Sequence, residues 1–422
     1  MIFIFFYDII ILEDNMKLKK KFKKFILLVP IILIVIIIAL GTNKKNKKEE
    51  VKINDDFISL HITNVKELCY TQGLKCNYNG NYNYEVSKDI VYSSSKIGDT
   101  YEIEYSLGEI ESEKLKEAKV NELGKVPIMM YHKIVNQESS KYTGGNVDKD
   151  GYNRLVSYFR QDLDYYYNND YRFIKLGDYI KGDIKCPFGK SPIILTFDDG
   201  NEDNCKVTGL DSNGEIIIDP NSACGVMEEF KKNHPDSGIT AIFFISRGLF
   251  NQPEYNDKII KWLVKNGYSI GNHTATHVDF TTVGIDRSEK EVGEVYSLLE
   301  NIIPDDYEHI VALPYGSPYK RNHSNYSHII NSSYEGKSYV TEAALRVGWE
   351  PEDSPFTSSF DPTFLKRCRA YNNNGKEFDL DMVFKSILPG KRFISDGFSD
   401  IITVPSGMEN NIKSYDRRVV TY

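Results

Sequence analysis

Pro192-Ile193-Ile194-Leu195-Thr196-Phe197-Asp198-Asp199-Gly200 runs an apolar stretch straight into two adjacent carboxylates and a glycine. A short apolar run closed by turn residues reads as a buried strand, so Asp198 and Asp199 stand at a strand's end. Downstream, Tyr268-Ser269-Ile270-Gly271 leads in the same way to His273-Thr274-Ala275-Thr276-His277. One Asp and two His would give a divalent ion three protein ligands, with positions left for water and a substrate oxygen. The spare Asp can then serve as base. Each half alone has an ordinary reading, because Asp-Asp-Gly is common in turns and paired His are common on helix surfaces. Together, each behind a strand-like segment, they point to a hydrolytic metal centre.

Outward from this pair, strand-like and helix-like segments alternate. Residues 126–131 read as a strand, 152–168 as a helix, and 171–176, 192–197 and 239–245 as strands. Asn256 then caps a helix with the apolar stripe Ile259, Ile260, Leu263 and Val264, and Gly267 ends it. Residues 268–271 form the strand that delivers His273. A helix over 288–303 follows, and 309–313 leads into Pro314-Tyr315-Gly316. Such alternation implies an α/β fold with a parallel sheet or barrel, whose loops converge at one end. Asp211-Ser212-Asn213-Gly214 marks a hairpin insertion at 203–224 beside the rim of the site. Cys205 with Cys224, and Cys69 with Cys76, bracket short segments and are read either as disulfides or as buried thiols.

The amino-terminal part has a different character. Lys17, Lys19, Lys20, Lys21, Lys23 and Lys24 precede an aliphatic stretch at 25–41, which reads as a single transmembrane anchor with the bulk of the chain outside the cell. Residues 1–24 are then a basic cytoplasmic tail. An apolar segment ahead of a basic cluster is not how export signals are arranged, so Met16 is read as the true start. A polar linker at 42–55 leads to a small helix-then-strands unit at 56–110, with strands around 82–86, 90–92 and 101–105. A charged, helix-prone connector at 111–125 reaches the main domain at 126–422. The net charge of -8 argues against a nucleic-acid partner.

Two resemblances follow. Val65-Lys66-Glu67-Leu68, Gly73-Leu74, residues 90–95, Ile97-Gly98-Asp99 and Ile103-Glu104-Tyr105-Ser106 resemble a PASTA module, a family associated with peptidoglycan binding; an anonymous spacer is the alternative. Thr196-Phe197-Asp198-Asp199-Gly200, His273-Thr274-Ala275-Thr276-His277 and Pro314-Tyr315-Gly316 resemble the first three motifs of polysaccharide deacetylases, carbohydrate esterase family four. That resemblance implies a distorted (β/α)7-type barrel. It also implies Asp199, His273 and His277 as ligands of a divalent metal, zinc foremost with cobalt, nickel or iron as alternatives. Asp198 would be the general base, and the backbone N–H of Tyr315 the oxyanion donor. Such an ion stays net positive, drawing the pKa of its water towards ~7 and polarising an acetyl carbonyl.

Two departures matter. Ala312 stands where the family commonly has an Arg that orients the base, and no Leu-x-His motif follows near the carboxyl terminus to supply an acid. Val126-Pro127-Ile128-Met129-Met130-Tyr131-His132 resembles the permuted relatives that act on poly-N-acetylglucosamine, in which the acid motif lies at the front; His132 is therefore the candidate general acid. Leu365-Lys366-Arg367-Cys368-Arg369 resembles the strand carrying Pro-Arg-Ile in those relatives, which makes Arg367 the candidate to orient Asp198. Trp349 is the candidate wall of an acetyl pocket. The expected activity is hydrolytic N-deacetylation of cell-wall glycan, most simply peptidoglycan, with poly-N-acetylglucosamine as the alternative substrate. The rival from another class is a wall-binding or sensing protein with weakened turnover.

Overall fold

The computed structural model describes residues 57–136, 152–372, 379–387, 390–413 and 416–422. The expected anchor at 25–41 and the tail before it lie outside those residues. Among the described residues, no helix is long and apolar enough to cross a membrane. The chain divides into two compact units, Met1–Glu109 and Ile110–Tyr422.

In the first unit, helix α1 (Ile62–Thr71) buries Ile62, Val65 and Cys69, spaced so that they share one helical face. These residues cover a three-stranded sheet of β1 (Lys75–Asn81), β2 (Val91–Ile97) and β3 (Thr100–Ser106) in the order β1-β3-β2. β3 runs parallel to β1 and antiparallel to β2, and its Tyr101 and Ile103 fill the small core with Phe57. A disulfide joins Cys69 on the helix to Cys76 on β1. The strand expected around 82–86 is absent, and the first strand instead precedes it. The Asn83 side-chain oxygen accepts from the N–H groups of Glu85 and Val86 at 2.8 Å, a local turn that competes with ladder pairing.

The second unit is an α/β fold whose parallel sheet curls into a half-barrel. Its strands are β4 (Ile128–Tyr131), β5 (Tyr171–Phe173), β6 (Ser191–Phe197), β7 (Ile242–Ile245), β8 (Ser269–Asn272), β9 (Ile310–Ala312), β10 (Ala343–Leu345) and β11 (Cys368–Arg369). They lie in the order β10-β9-β8-β7-β6-β4-β11, with β5 beside β6. One parallel bridge, Leu345 to Leu365, brings the segment leading into β11 back to β10. Every residue of β6 is buried, which explains its unbroken apolar sequence: a parallel strand is covered on both faces. Ile194, Ile242, Phe244, Ala312, Leu345 and Leu365 pack on the concave side. Leu195, Phe197, Phe243 and Ile245 pack outward against helices α2 (Val156–Asn168), α3 (Ala223–Asn233), α4 (Asn256–Lys265) and α5 (Ile285–Ile302).

Several boundaries differ from expectation, among them the strand expected over 171–176, which ends at Phe173 with Leu176 opening a short helix. Asn256 is the first residue of α4 and does not cap it; Tyr255 holds the cap position, while the Asn256 side chain accepts from Phe250 and Gln252 N–H and closes the preceding turn. Residues 153–155 form a short strand before α2 begins at Val156. The insertion is a hairpin of Val207–Leu210 against Ile216–Ile218, its turn held by Asp211 Oδ1 accepting from Asn213 and Glu215 N–H. Cys205 and Cys224 are joined at its base.

Candidate metal centre

Asp199, His273 and His277 meet at the carboxyl end of the sheet, with one ligand atom of each within 4.8 Å of the others. Asp199, two residues past the end of β6, lies in the left-handed region (φ 77), and Gly200 follows it there (φ 60). Only glycine fits that second position, because a Cβ would lie 2.2 Å from the Leu249 carbonyl oxygen. Thr274 (φ 65), His277 (φ 55) and Tyr315 (φ 58) are also left-handed. Strained backbone of this kind persists only where surrounding contacts over-determine it.

Those contacts are present. His273 and His277 lie on a loop and not on a helix. Thr274 N–H donates to Asn272 Oδ1 at 2.8 Å, and Thr274 Oγ1 accepts from His277 N–H at 3.1 Å. The buried Glu291 on α5 accepts from Thr276 N–H at 2.7 Å and from its hydroxyl at 2.6 Å, while its own carbonyl takes Ala275 N–H at 2.8 Å. Arg287 pairs with Glu291 and donates to Thr276 Oγ1. Sequence reasoning missed Glu291. Its visible trace is a carboxylate on the buried face of the helix with Ser288, Val292 and Val295, where a charge is rarely left without a partner.

The donor set fits a metal ion. His273 Nδ1 lies 2.8 Å from the Ala312 carbonyl oxygen and so carries the proton of the neutral ring. Its Nε2 is buried with no hydrogen-bond partner, 3.2 Å from Asp199 Oδ1. His277 Nε2 is 3.5 Å from the same oxygen. A lone pair facing a carboxylate oxygen at that distance calls for a cation between them. Without one, burial disfavours the charged His273 ring, but Asp198 and Asp199 outweigh it and draw its pKa upward. Burial raises the Asp199 carboxyl, yet the adjacent His273 ring, when charged, holds it well below the carboxylate range.

Asp198 is built differently from its neighbour. It is buried, and Arg367 clasps it with Nη1 to Oδ1 and Nη2 to Oδ2, both at 2.7 Å. Arg367 is itself fully buried, donating from Nε to the Arg346 carbonyl at 2.8 Å and from Nη1 to Thr196 Oγ1 at 3.2 Å. Burial raises the Asp198 pKa, and the Arg367 charge overrides it, so the carboxylate stays ionised. The arginine that clasps Asp198 thus comes from the residue just before β11 and not from position 312. A Cβ at Gly348 would press to 2.7 Å from the Arg367 carbonyl oxygen, which accounts for glycine before Trp349.

His132 follows β4, with its Nε2 3.9 Å from Asp198 Oδ2 and its Nδ1 buried without a partner. Burial lowers its pKa against the pull of Asp198 and Asp199. Asn204, a second buried residue that sequence reasoning missed, donates to the His132 carbonyl at 2.6 Å, and Asp203 Oδ1 takes Ile134 N–H at 3.1 Å. Tyr131 points the other way, towards Asp162 and Tyr166. The Tyr315 ring packs edge-on to His277 at 4.7 Å and is half exposed. Trp349 is also half exposed, on the segment that follows β10.

Comparison with known proteins agrees with this geometry. Residues 227–329, which include both histidines and the Pro-Tyr-Gly turn, match the family model described as polysaccharide deacetylase. That stretch of the chain therefore matches a polysaccharide deacetylase domain. Among solved structures, the chain is similar to the Streptococcus pyogenes deacetylase PplD in complex with acetate, at 17% identity over 63% of this chain and 100% of that one, with a TM-score of 0.45. It is also similar to a de-N-acetylase from Aggregatibacter actinomycetemcomitans, at 11% identity over 63% and 100% with a TM-score of 0.40. The Bacillus subtilis peptidoglycan deacetylase PdaC aligns at 21% identity over 33% and 55%, with a TM-score of 0.24.

Proposed function

We propose that the second unit removes N-acetyl groups from amino sugars of cell-wall glycan, using a divalent metal held by Asp199, His273 and His277. The observation that carries this reading is the pairing of an orphaned, buried His273 Nε2 with Asp199 beside a second carboxylate that Arg367 keeps ionised. Zinc, cobalt, nickel or iron suits two imidazoles and one carboxylate. When bound, the ion supplies Lewis-acid polarisation and a lowered pKa for water.

The chain's own residues do the rest. Asp198, fixed by the two Arg367 hydrogen bonds, accepts the proton of the attacking water. His132 donates a proton to the leaving amine, its protonated form favoured by the nearby Asp198 and Asp199 against the cost of burial. The amide N–H of Tyr315, in its left-handed turn, faces the developing oxyanion. Trp349 walls the acetyl group. The single Leu345–Leu365 bridge supports reading the sheet as a distorted (β/α)7-type barrel.

Peptidoglycan is the substrate we favour, because the helix-plus-three-strand order of the first unit is that expected of a PASTA-like wall-binding module. The poly-N-acetylglucosamine reading rests on the front position of His132. We also propose that the basic and aliphatic segment up to residue 41 anchors the protein with both units outside the cell; two disulfides are in keeping with an oxidising compartment. Acetate release by the metal-loaded full-length protein, measured on peptidoglycan fragments and on N-acetylglucosamine oligomers, tests the reading. Release from the first in excess of the second is expected. No release from either would leave the wall-binding alternative.

A further inference from the structure

The guanidinium groups of the described arginines are almost all spent on protein acceptors: Arg154 on Asp162, Arg172 on Asp236, Arg367 on Asp198. Among the described residues, Arg346 and Arg369 are the exceptions, each with a buried Nε that has no hydrogen-bond partner and with no carboxylate at ion-pair distance. Arg346 rests on the Phe364 ring, which Arg321 also faces. Arg369 is placed more tellingly.

Side chains alternate across a strand. Cys368 packs outward against the helices and Leu365 inward, so Arg369 shares the concave face with Arg367. In register, Arg369 pairs with Met130 and Met130 with Thr196. His132 and Asp198 each follow two residues later on that same face. Arg369 therefore lies one interior layer beneath the candidate acid and base, on the side of the sheet that carries the site. Its guanidinium carbon is 5.7 Å from the centroid of the Tyr152 ring, and that ring packs edge-on to His132 at 4.7 Å. The Asp198 charge does not account for Arg369, because Arg367 already occupies both carboxylate oxygens.

A buried donor without an acceptor costs stability, about 1–3 kcal/mol for a typical group, and in a native protein it calls for an explanation. A guanidinium fork matches a carboxylate or phosphate by two parallel hydrogen bonds. We infer that Arg369, flanked by the Tyr152 ring, binds an anionic substituent of the glycan next to the acetamido group that is cleaved. The substrate class is then an acidic amino-sugar glycan, bearing a carboxylate or a phosphate, and not a neutral homopolymer. This inference rests on the deacetylase reading.

The test uses the metal-loaded full-length protein and three probes: an N-acetylglucosamine tetramer, a disaccharide carrying a free muramic-acid carboxylate, and an N-acetylglucosamine disaccharide carrying a phosphodiester. The ratio of kcat/KM for an acidic probe to that for the neutral one should exceed about 10 in the wild type. It should fall roughly tenfold in Arg369→Gln, through KM, with partial recovery in Arg369→Lys. The acidic probe that shows the preference identifies the anion. No preference in the wild type, or an equal loss on all three probes in the variant, would overturn the assignment. If no probe releases acetate, the deacetylase reading fails by itself, and equilibrium binding of the same probes decides this one: tighter binding of an acidic probe that Arg369→Gln abolishes supports it, and equal binding refutes it.

Discussion

The two ends of the curled sheet treat buried charge in opposite ways. At the amino-terminal end, Glu122 accepts from Thr403 N–H at 2.9 Å and Asp396 N–H at 3.3 Å, and Glu352 accepts from Asp353 N–H at 2.7 Å and Lys366 N–H at 2.6 Å. Asp396 accepts from Phe398 N–H and from the Thr403 hydroxyl. These carboxylates stitch the connector and the carboxyl-terminal segment to the sheet, and their bonding is complete. At the other end, His273 Nε2, His132 Nδ1 and Arg369 Nε are buried with no partner, and Asp199, Thr274, His277 and Tyr315 take left-handed backbone. Complete bonding is what structure requires; groups held open at a cost mark where a ligand must enter.

Breaking the open end should cost activity. Removing the base in Asp198→Asn should lower acetate release by roughly 10³–10⁴-fold while metal stays bound, since Asp198 is not among the three clustered ligands. Assay beside metal analysis of the same sample checks this, and undiminished turnover would remove Asp198 from the base role. A smaller loss, roughly 10²-fold, is expected for His132→Ala, because water can protonate a leaving amine more readily than it can replace a fixed base. An unchanged rate in that variant would move the acid role to another group.

The closed end should answer to pH instead. Burial raises Asp396 to about 6, and burial together with the Asp396 charge raises Glu122 further from its usual range. A carboxyl whose folded pKa lies above its unfolded one contributes stability that is full below the unfolded value and is lost as pH rises through the folded one. The melting temperature of the wild type should therefore fall between pH 5 and pH 7.5, and Asp396→Asn should flatten that fall by a few degrees. Parallel pH dependence in the two proteins would show that Asp396 is not the group responsible.

How far the sequence could be read follows from the same contrast. Asp198, Asp199, His273 and His277 were legible because each sits within a residue or a few of a strand's end, so local pattern fixes their place. Arg367 was legible only through its likeness to a permuted relative, since it reaches Asp198 from a segment far along the chain. Glu291, Asn204 and Asn272 were not legible. They act through side-chain bonds to loop backbone that no periodicity announces. The strand expected around 82–86 failed for a related reason, as the Asn83 side chain captured the backbone donors that a ladder would need.

Everything at the open end depends on a cation meeting Asp199, His273 and His277. Isothermal titration of zinc into metal-stripped full-length protein, compared with His273→Ala/His277→Ala, tests it most directly. One tight site in the wild type, weakened at least ~100-fold in the double variant, is the predicted result, since even outer partners of a ligand are worth 10–100-fold. Zinc binding of equal affinity and stoichiometry in both proteins would contradict it.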